Sequence, residues 1–355
     1  TTINGKTTSW LVWFMFIGVI PSVAGMGGLA GAVAEAGNSM IPLISIEMWV
    51  VACCLFTWLI LYWGSYQSLE KILLAMVLLF SFITIVIAFA MQTTEYEVSI
   101  NQVSQGLTFN FPTEFLPLAL AVFGFTGISY GEIMAYTYWC LEKGYAQDTS
   151  DNIEETKAWI KTMQTDVWIT VLFITIGTLP FFFLGAGVLH YVPELQESLA
   201  NNSFWDVDVI GALQNMFSLV LGEWAKWLFV ILAFFVLFST LLSGTAAFTR
   251  TIADYLISTG LIPERKETRS YLIKLIAFFI PFFSGVFYFI LPNPITLLII
   301  AGIWAAMGLP IVNIGALYLI SKLDKDLQPK RSTKSILWIS LMLQITMALL
   351  IIYDM

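Results

Sequence analysis

Long apolar runs separated by short polar segments set the pattern of this chain. Nine runs reach the roughly 20 residues that a helix needs to cross a bilayer core. They cover about 10–34, 42–64, 72–91, 114–139, 166–189, 224–249, 272–291, 294–320 and 336–353. In lipid, each backbone must satisfy its hydrogen bonds within its own segment, so runs of this length predict helices. Barrel strands would alternate in polarity and be about half as long. The pattern predicts an all-α integral membrane protein with nine transmembrane helices.

Composition agrees. Hydrophobic residues make up 58% of the chain and charged residues 11%, with a mean hydropathy of +0.83. A soluble domain carries about a quarter charged residues, and no water-soluble fold could bury this much apolar surface. The net charge of −8 does not speak for a nucleic-acid partner, which would need a basic face. Three cysteines, two of them the neighbours Cys53 and Cys54, give neither a disulfide framework nor a zinc spacing. The single histidine, His190, reads as an interfacial polar residue. No second catalytic acid, catalytic histidine or Ser–Lys pair lies at membrane depth, so the chain does not read as an enzyme. It starts Thr-Thr-Ile, without a signal-peptide pattern, and is expected to be a piece of something longer.

Charge sets the orientation. Threading nine spans alternately puts every Lys and Arg except Lys226 on one side, in loops or at the span ends that border them. The opposite loops, 35–41, 92–113, 190–223 and 292–293, hold no basic residue. The N-terminal end is therefore expected to be cytoplasmic and the C-terminus outside. Of the two long outer loops, the second (PELQESLANNSFWDVDVIG) has the periodicity of a short interfacial helix.

Several spans contain helix breakers. The first clusters Gly25, Gly27, Gly28, Gly31, Ala32 and Ala34, spacings that suit close helix packing. The fourth is interrupted by Gly124, Gly127 and Gly131, followed directly by Glu132 and then Met134. Glycine there weakens the helix, and broken backbone at this depth belongs beside protein or a wet cavity. A carboxylate in the same place is costly and points to function, with a structural hydrogen bond to a neighbour as the alternative. Pro180, Pro281 and Pro310 fall inside spans five, seven and eight, where each permits bending. Ser239, Thr240, Ser243, Thr245 and Thr249 in span six either line a path or bond back to their own helix. Broken and kinked helices near the midplane are the parts from which secondary transporters build a site. A Met134 thioether favours Mn, Fe, Co or Cd over Mg or Ca, whereas Glu132 suits Mg or Mn, or carries a proton.

GISYGEIMAYTYWCLEKGYA, a kinked span ending FFFLGAGVLH, and FSTLLSGTAAFTRTIADYL resemble the later half of the Nramp family, the natural-resistance-associated macrophage proteins. The nearest likeness is to the divergent bacterial Nramp-like branch, over essentially the whole chain in span order. The resemblance implies proton-coupled transport of a divalent metal on an inverted-repeat, leucine-transporter-like fold. In the family the broken helix is the sixth; here it is the fourth, so this chain corresponds to family helices three to eleven and the fold is a partial inverted repeat. A single transporter domain over 1–355 is implied, with the last three helices of the first repeat in 1–91, the second repeat in 112–321 and an extra helix in 336–353.

By the same resemblance Met134 matches the metal-binding methionine and Gly131 the residue whose freed carbonyl also binds metal. Ala135 stands where the family has proline, Tyr136 where it has histidine, and the glutamine of family helix ten is replaced near Gly302. The implied site is Met134, the Gly131 carbonyl and Glu132, with Tyr136 and Glu132 at a gate or on a proton path. The expected function is secondary transport of a divalent cation of the Mn, Fe or Mg class, without a cofactor, by alternating access in a bacterial inner membrane. A carrier of an organic solute such as an amino acid, or a non-transporting fragment, are the alternatives. Lipid, the cation and a proton are the implied partners.

Overall fold

The computed structural model describes residues 2–3, 6–63, 66–108, 119, 122–124, 129–146, 152–189, 209–263, 265 and 267–354. Two-residue strands β1 (Thr2–Ile3) and β2 (Lys6–Thr7) pair antiparallel before the first helix. The helices that follow are α1 (Trp10–Ile17), α2 (Val19–Met40), α3 (Ile46–Trp63), α4 (Tyr66–Met91) and α5 (Ile100–Gly106). After them come α6 (Tyr130–Glu142), α7 (Ile153–Val188), α8 (Val209–Leu221) and α9 (Ala225–Ser258). The last three are α10 (Thr268–Ile290), α11 (Pro294–Lys322) and α12 (Arg331–Asp354).

Eight segments among the described residues are long and apolar enough to cross a membrane, α1 and α2 together making the first. They match eight of the nine expected runs. Of the ninth, 114–139, residues 114–118, 120–121 and 125–128 lie outside the described residues, and α6 alone has only 13 residues. His190 and most of the segment expected to form an interfacial helix also lie outside them.

Helix ends differ from the apolar runs in an informative way. α7 has 36 residues, about 54 Å at 1.5 Å per residue, well beyond a bilayer core. Its first turns carry Glu154, Glu155, Lys157 and Lys161, with Lys157 paired to Glu154 at 3.0 Å. Backbone hydrogen bonding continues past the point where the apolar side chains stop. For the same reason α2 runs on to Met40 and takes Glu35 inside a spanning helix.

Packing groups the chain into two compact units. The first comprises Thr1–Asn110 and Ile174–Leu298, and so draws on both sides of the expected repeat boundary at 112. Its central element is α2, which packs against α3, α9 and α10 and is buried at Val23, Leu29, Ala30, Val33 and Ala36 among others. The small residues make this approach feasible. A Cβ at Gly28 would stand 2.7 Å from the Pro294 carbonyl oxygen, and one at Gly31 would strike the Tyr288 ring. The glycine cluster of the first span is a packing surface. A second core gathers Ile87 and Met91 of α4, Leu184 of α7, Met216 and Phe217 of α8 and Phe229 of α9. Large apolar side chains such as Phe82, Phe89 and Leu172 stay exposed, as suits helices surrounded by hydrocarbon.

The serines and threonines of α9 also find partners. Ser239 and Thr240 donate to the Val236 carbonyl, Ser243 to Thr240, Thr245 to Leu241 and Thr249 to Ala246, all at 2.7–3.2 Å. Every one of these bonds closes within α9, which favours self-satisfaction over the lining of a path.

Candidate metal site at the start of α6

The second unit comprises Phe111–Phe173 and Ile299–Met355 and contains α6, the first turns of α7, most of α11, and α12. Gly124 lets the chain before α6 cross α11 backbone to backbone, since a Cβ there would collide with the Gly302 carbonyl oxygen. Farther along α11, Gly308 leaves room for the ring of Tyr130, whose Cδ1 would lie 2.8 Å from an added Cβ. Tyr130 is buried there. Asn313 of α11 donates to the Gln344 side chain of α12 at 3.2 Å, and Gln344 donates to Ser340.

The expected break in the fourth span is present. Ser129 has extended backbone (φ −72°, ψ 165°), and α6 starts with the next residue. The start is set by a capping interaction in which the Glu132 carboxylate accepts from the Ser129 N–H at 2.6 Å. That is half of a Ser-x-x-Glu capping box, and it satisfies a donor that the helix leaves unpaired. The Ile133 N–H of α6 donates to the Ser129 carbonyl at 3.1 Å.

This geometry separates the expected site residues. Gly131 and Met134 are three apart and share a face of α6, whereas Glu132 is two residues from Met134 and does not face it. Gly131 lies inside the helix, where a carbonyl points along the axis to the N–H four residues on. The groups left free by a helix start are N–H donors rather than carbonyls. The half-buried Met134 receives the Thr137 hydroxyl on its carbonyl at 2.8 Å. Ala135 is buried and helical; having an N–H where proline has none, it lets α6 run unbroken from Tyr130.

The other end of α6 is tied to α7. Tyr136 donates its hydroxyl to the Met163 carbonyl at 3.3 Å, and Tyr145 donates to Asp166 at 2.7 Å. Lys143 lies 4.0 Å from the same carboxylate, and the Tyr145 ring is tilted on Trp159 with centroids 5.1 Å apart. Gly144 (φ 80°) and Ala146 (φ 57°) take left-handed backbone, which turns the chain so that Tyr145 reaches α7. The Tyr-x-Tyr-Trp-x-Leu-x-x-Gly-Tyr run thus supplies both tyrosines of a clasp. Sequence reasoning missed Asp166 as its acceptor; the only signal was a lone acid at the boundary of the fifth apolar run.

Among the described residues, no three His, Cys, Asp or Glu side chains stand close enough together to hold a metal. A cation at α6 would rest on a thioether, main-chain oxygens and at most one carboxylate. That is a soft, sparsely charged donor set.

The pattern of the Nramp family, natural resistance-associated macrophage protein-like, matches residues 2–354. The chain belongs to the Nramp family. Curated proteins give no match. At the level of the family, this Nramp protein is an integral membrane transporter of divalent metal ions, and its family members transport rather than catalyse.

Proposed function

We propose that the protein carries a divalent cation of the Mn or Fe class across a bacterial inner membrane by alternating access, binding it at the start of α6. The interruption at Ser129 is the observation that supports this reading most, because a helix that begins within a span is where carriers of this kind place their substrate. Met134 gives the soft ligand and the Gly131 carbonyl, on the same face, the hard one. Glu132 keeps the first turn closed through Ser129. A proton arriving at Glu132 removes the charge that holds this cap, the turn loosens and the Gly131 carbonyl becomes available. Tyr136 holds the far side of α6 on α7 and serves as the gate against which the turn opens.

The test is ion uptake by purified protein in liposomes. Saturable Mn uptake is expected in the wild type, stimulated by an inward proton gradient. Glu132→Gln retains an acceptor for the Ser129 N–H but fixes the cap in its uncharged form, so a proton can no longer switch the turn. Uptake should fall sharply and lose its dependence on the gradient. Wild-type uptake in Glu132→Gln would remove Glu132 from the mechanism, and no saturable uptake by the wild type would overturn the transport reading.

The basic loops mark the cytoplasmic side in this proposal. The three native cysteines are buried, so labelling reports on introduced ones. Gln105→Cys should react with an impermeant thiol reagent from outside and Gln328→Cys should not. The reverse result would invert the orientation.

A further inference from the structure

We propose that the adjoining ends of α3 and α10 form a binding site for the headgroup of an anionic phospholipid. The apolar run of α3 stops at Trp63, and that of α10 starts at Leu272. Two contacts set these ends side by side: Trp58 on Phe278, with ring centroids 5.3 Å apart, and the Lys274 ammonium 5.9 Å above the centre of the Tyr62 ring. Trp58, Tyr62 and Trp63 form a continuous aromatic group with centroids 5.4–6.4 Å apart. Trp63 is 72% exposed. Aromatic side chains of this kind settle at the level of lipid headgroups.

The cations at this level are available. Arg269 is used on Asp254, at 2.8 Å. Neither Lys274 nor Arg265 makes an ion pair among the described residues, and both are exposed. A cleft of about 460 Å³ lies beside Arg265 on the surface, lined by Arg265, Glu267, Thr268 and Tyr271. Tyr271, 65% exposed, is three residues from both Thr268 and Lys274 and so neighbours each of them on the surface of α10. A phosphate in this cleft meets Arg265 and the Thr268 and Tyr271 hydroxyls, and Lys274 stands about one turn farther along α10 as the next cation. Acyl chains then run down the exposed apolar side chains Leu275, Phe278 and Phe279. Glu267 disfavours a second negative charge and favours a headgroup with hydroxyl donors beyond its phosphate, which glycerol has. Basic pockets between spanning helices bind lipid headgroups through this combination of charge and interfacial level.

The experiment follows thermal unfolding of the detergent-purified protein with added phosphatidylglycerol, phosphatidylcholine or inorganic phosphate. Phosphatidylglycerol should raise the midpoint by several degrees more than phosphatidylcholine, by preferential binding to the folded state, and phosphate alone should have no effect. The double substitution Lys274→Gln with Arg265→Gln should abolish that excess, while Lys334→Gln, a basic position elsewhere, should retain it. If the double variant does not fold, Arg265→Gln alone should reduce the excess and Lys274→Arg should keep it. A full phosphatidylglycerol excess in the folded double variant, or in Arg265→Gln alone, overturns the proposal. So does an equal response to the two lipids, and a response to free phosphate as large as that to lipid marks a simple anion site instead.

Discussion

Met134→Ala is expected to raise the half-saturating concentration for Cd and Mn uptake by at least about tenfold, equivalent to about 1.4 kcal/mol, while leaving Mg uptake, where measurable, unchanged. The contrast comes from ligand softness. A thioether is a polarisable donor that adds little for a hard ion that holds its water, and more for Cd or Mn. The substitution suits the helix, since alanine has the highest helix propensity and Ala135 already occupies the buried face of α6 beside it. The Thr137 hydroxyl bonds the main-chain carbonyl of residue 134, so that contact survives the change of side chain. Uptake of Cd, Mn and Mg by the same liposomes, with helical content checked by circular dichroism, separates the outcomes. Equal losses for all three ions would mean that Met134 acts through packing. No loss for Cd would move the site away from α6.

Gly124→Val is expected to stop the second unit from folding, or to leave it less stable by roughly 3 kcal/mol, at the upper end of overpacking costs. The added Cβ would collide with the Gly302 carbonyl oxygen and lie 2.9 Å from the Ala306 nitrogen. Both obstacles are main-chain atoms of α11, so no side-chain rotation relieves them. The neighbouring cluster of Phe123, Ile303, Ala306, Met307, Met347 and Leu350 would have to open as well. Gly106→Ala is the control, because nothing lies within 4 Å of its added Cβ. The measurement is size-exclusion behaviour and thermal unfolding of the purified variants. A monodisperse Gly124→Val protein with the wild-type midpoint would show that α11 can retreat from the crossing and that the glycine is not required there.

Much of this protein is decided by sequence alone, and the physics of the bilayer explains why. Every spanning backbone must satisfy its own hydrogen bonds, so apolar length predicted eight spanning helices close to where they lie among the described residues. The break in the fourth span was expected from Gly124, Gly127 and Gly131, which weaken a helix; that it falls at Ser129, capped by Glu132, was not. What a side chain meets is a different matter. Each residue turns by about 100° around a helix, so the neighbour depends on rotation and on which helix packs alongside, and neither is local. Tertiary structure therefore decided that the α9 hydroxyls close on their own carbonyls, that Gly28 and Gly31 receive Pro294 and Tyr288, and that Asp166 holds Tyr145. It also decided that Glu132 and Met134, two residues apart in the sequence, diverge on α6, because the helix begins one residue earlier than Gly131 and carries both side chains around its axis.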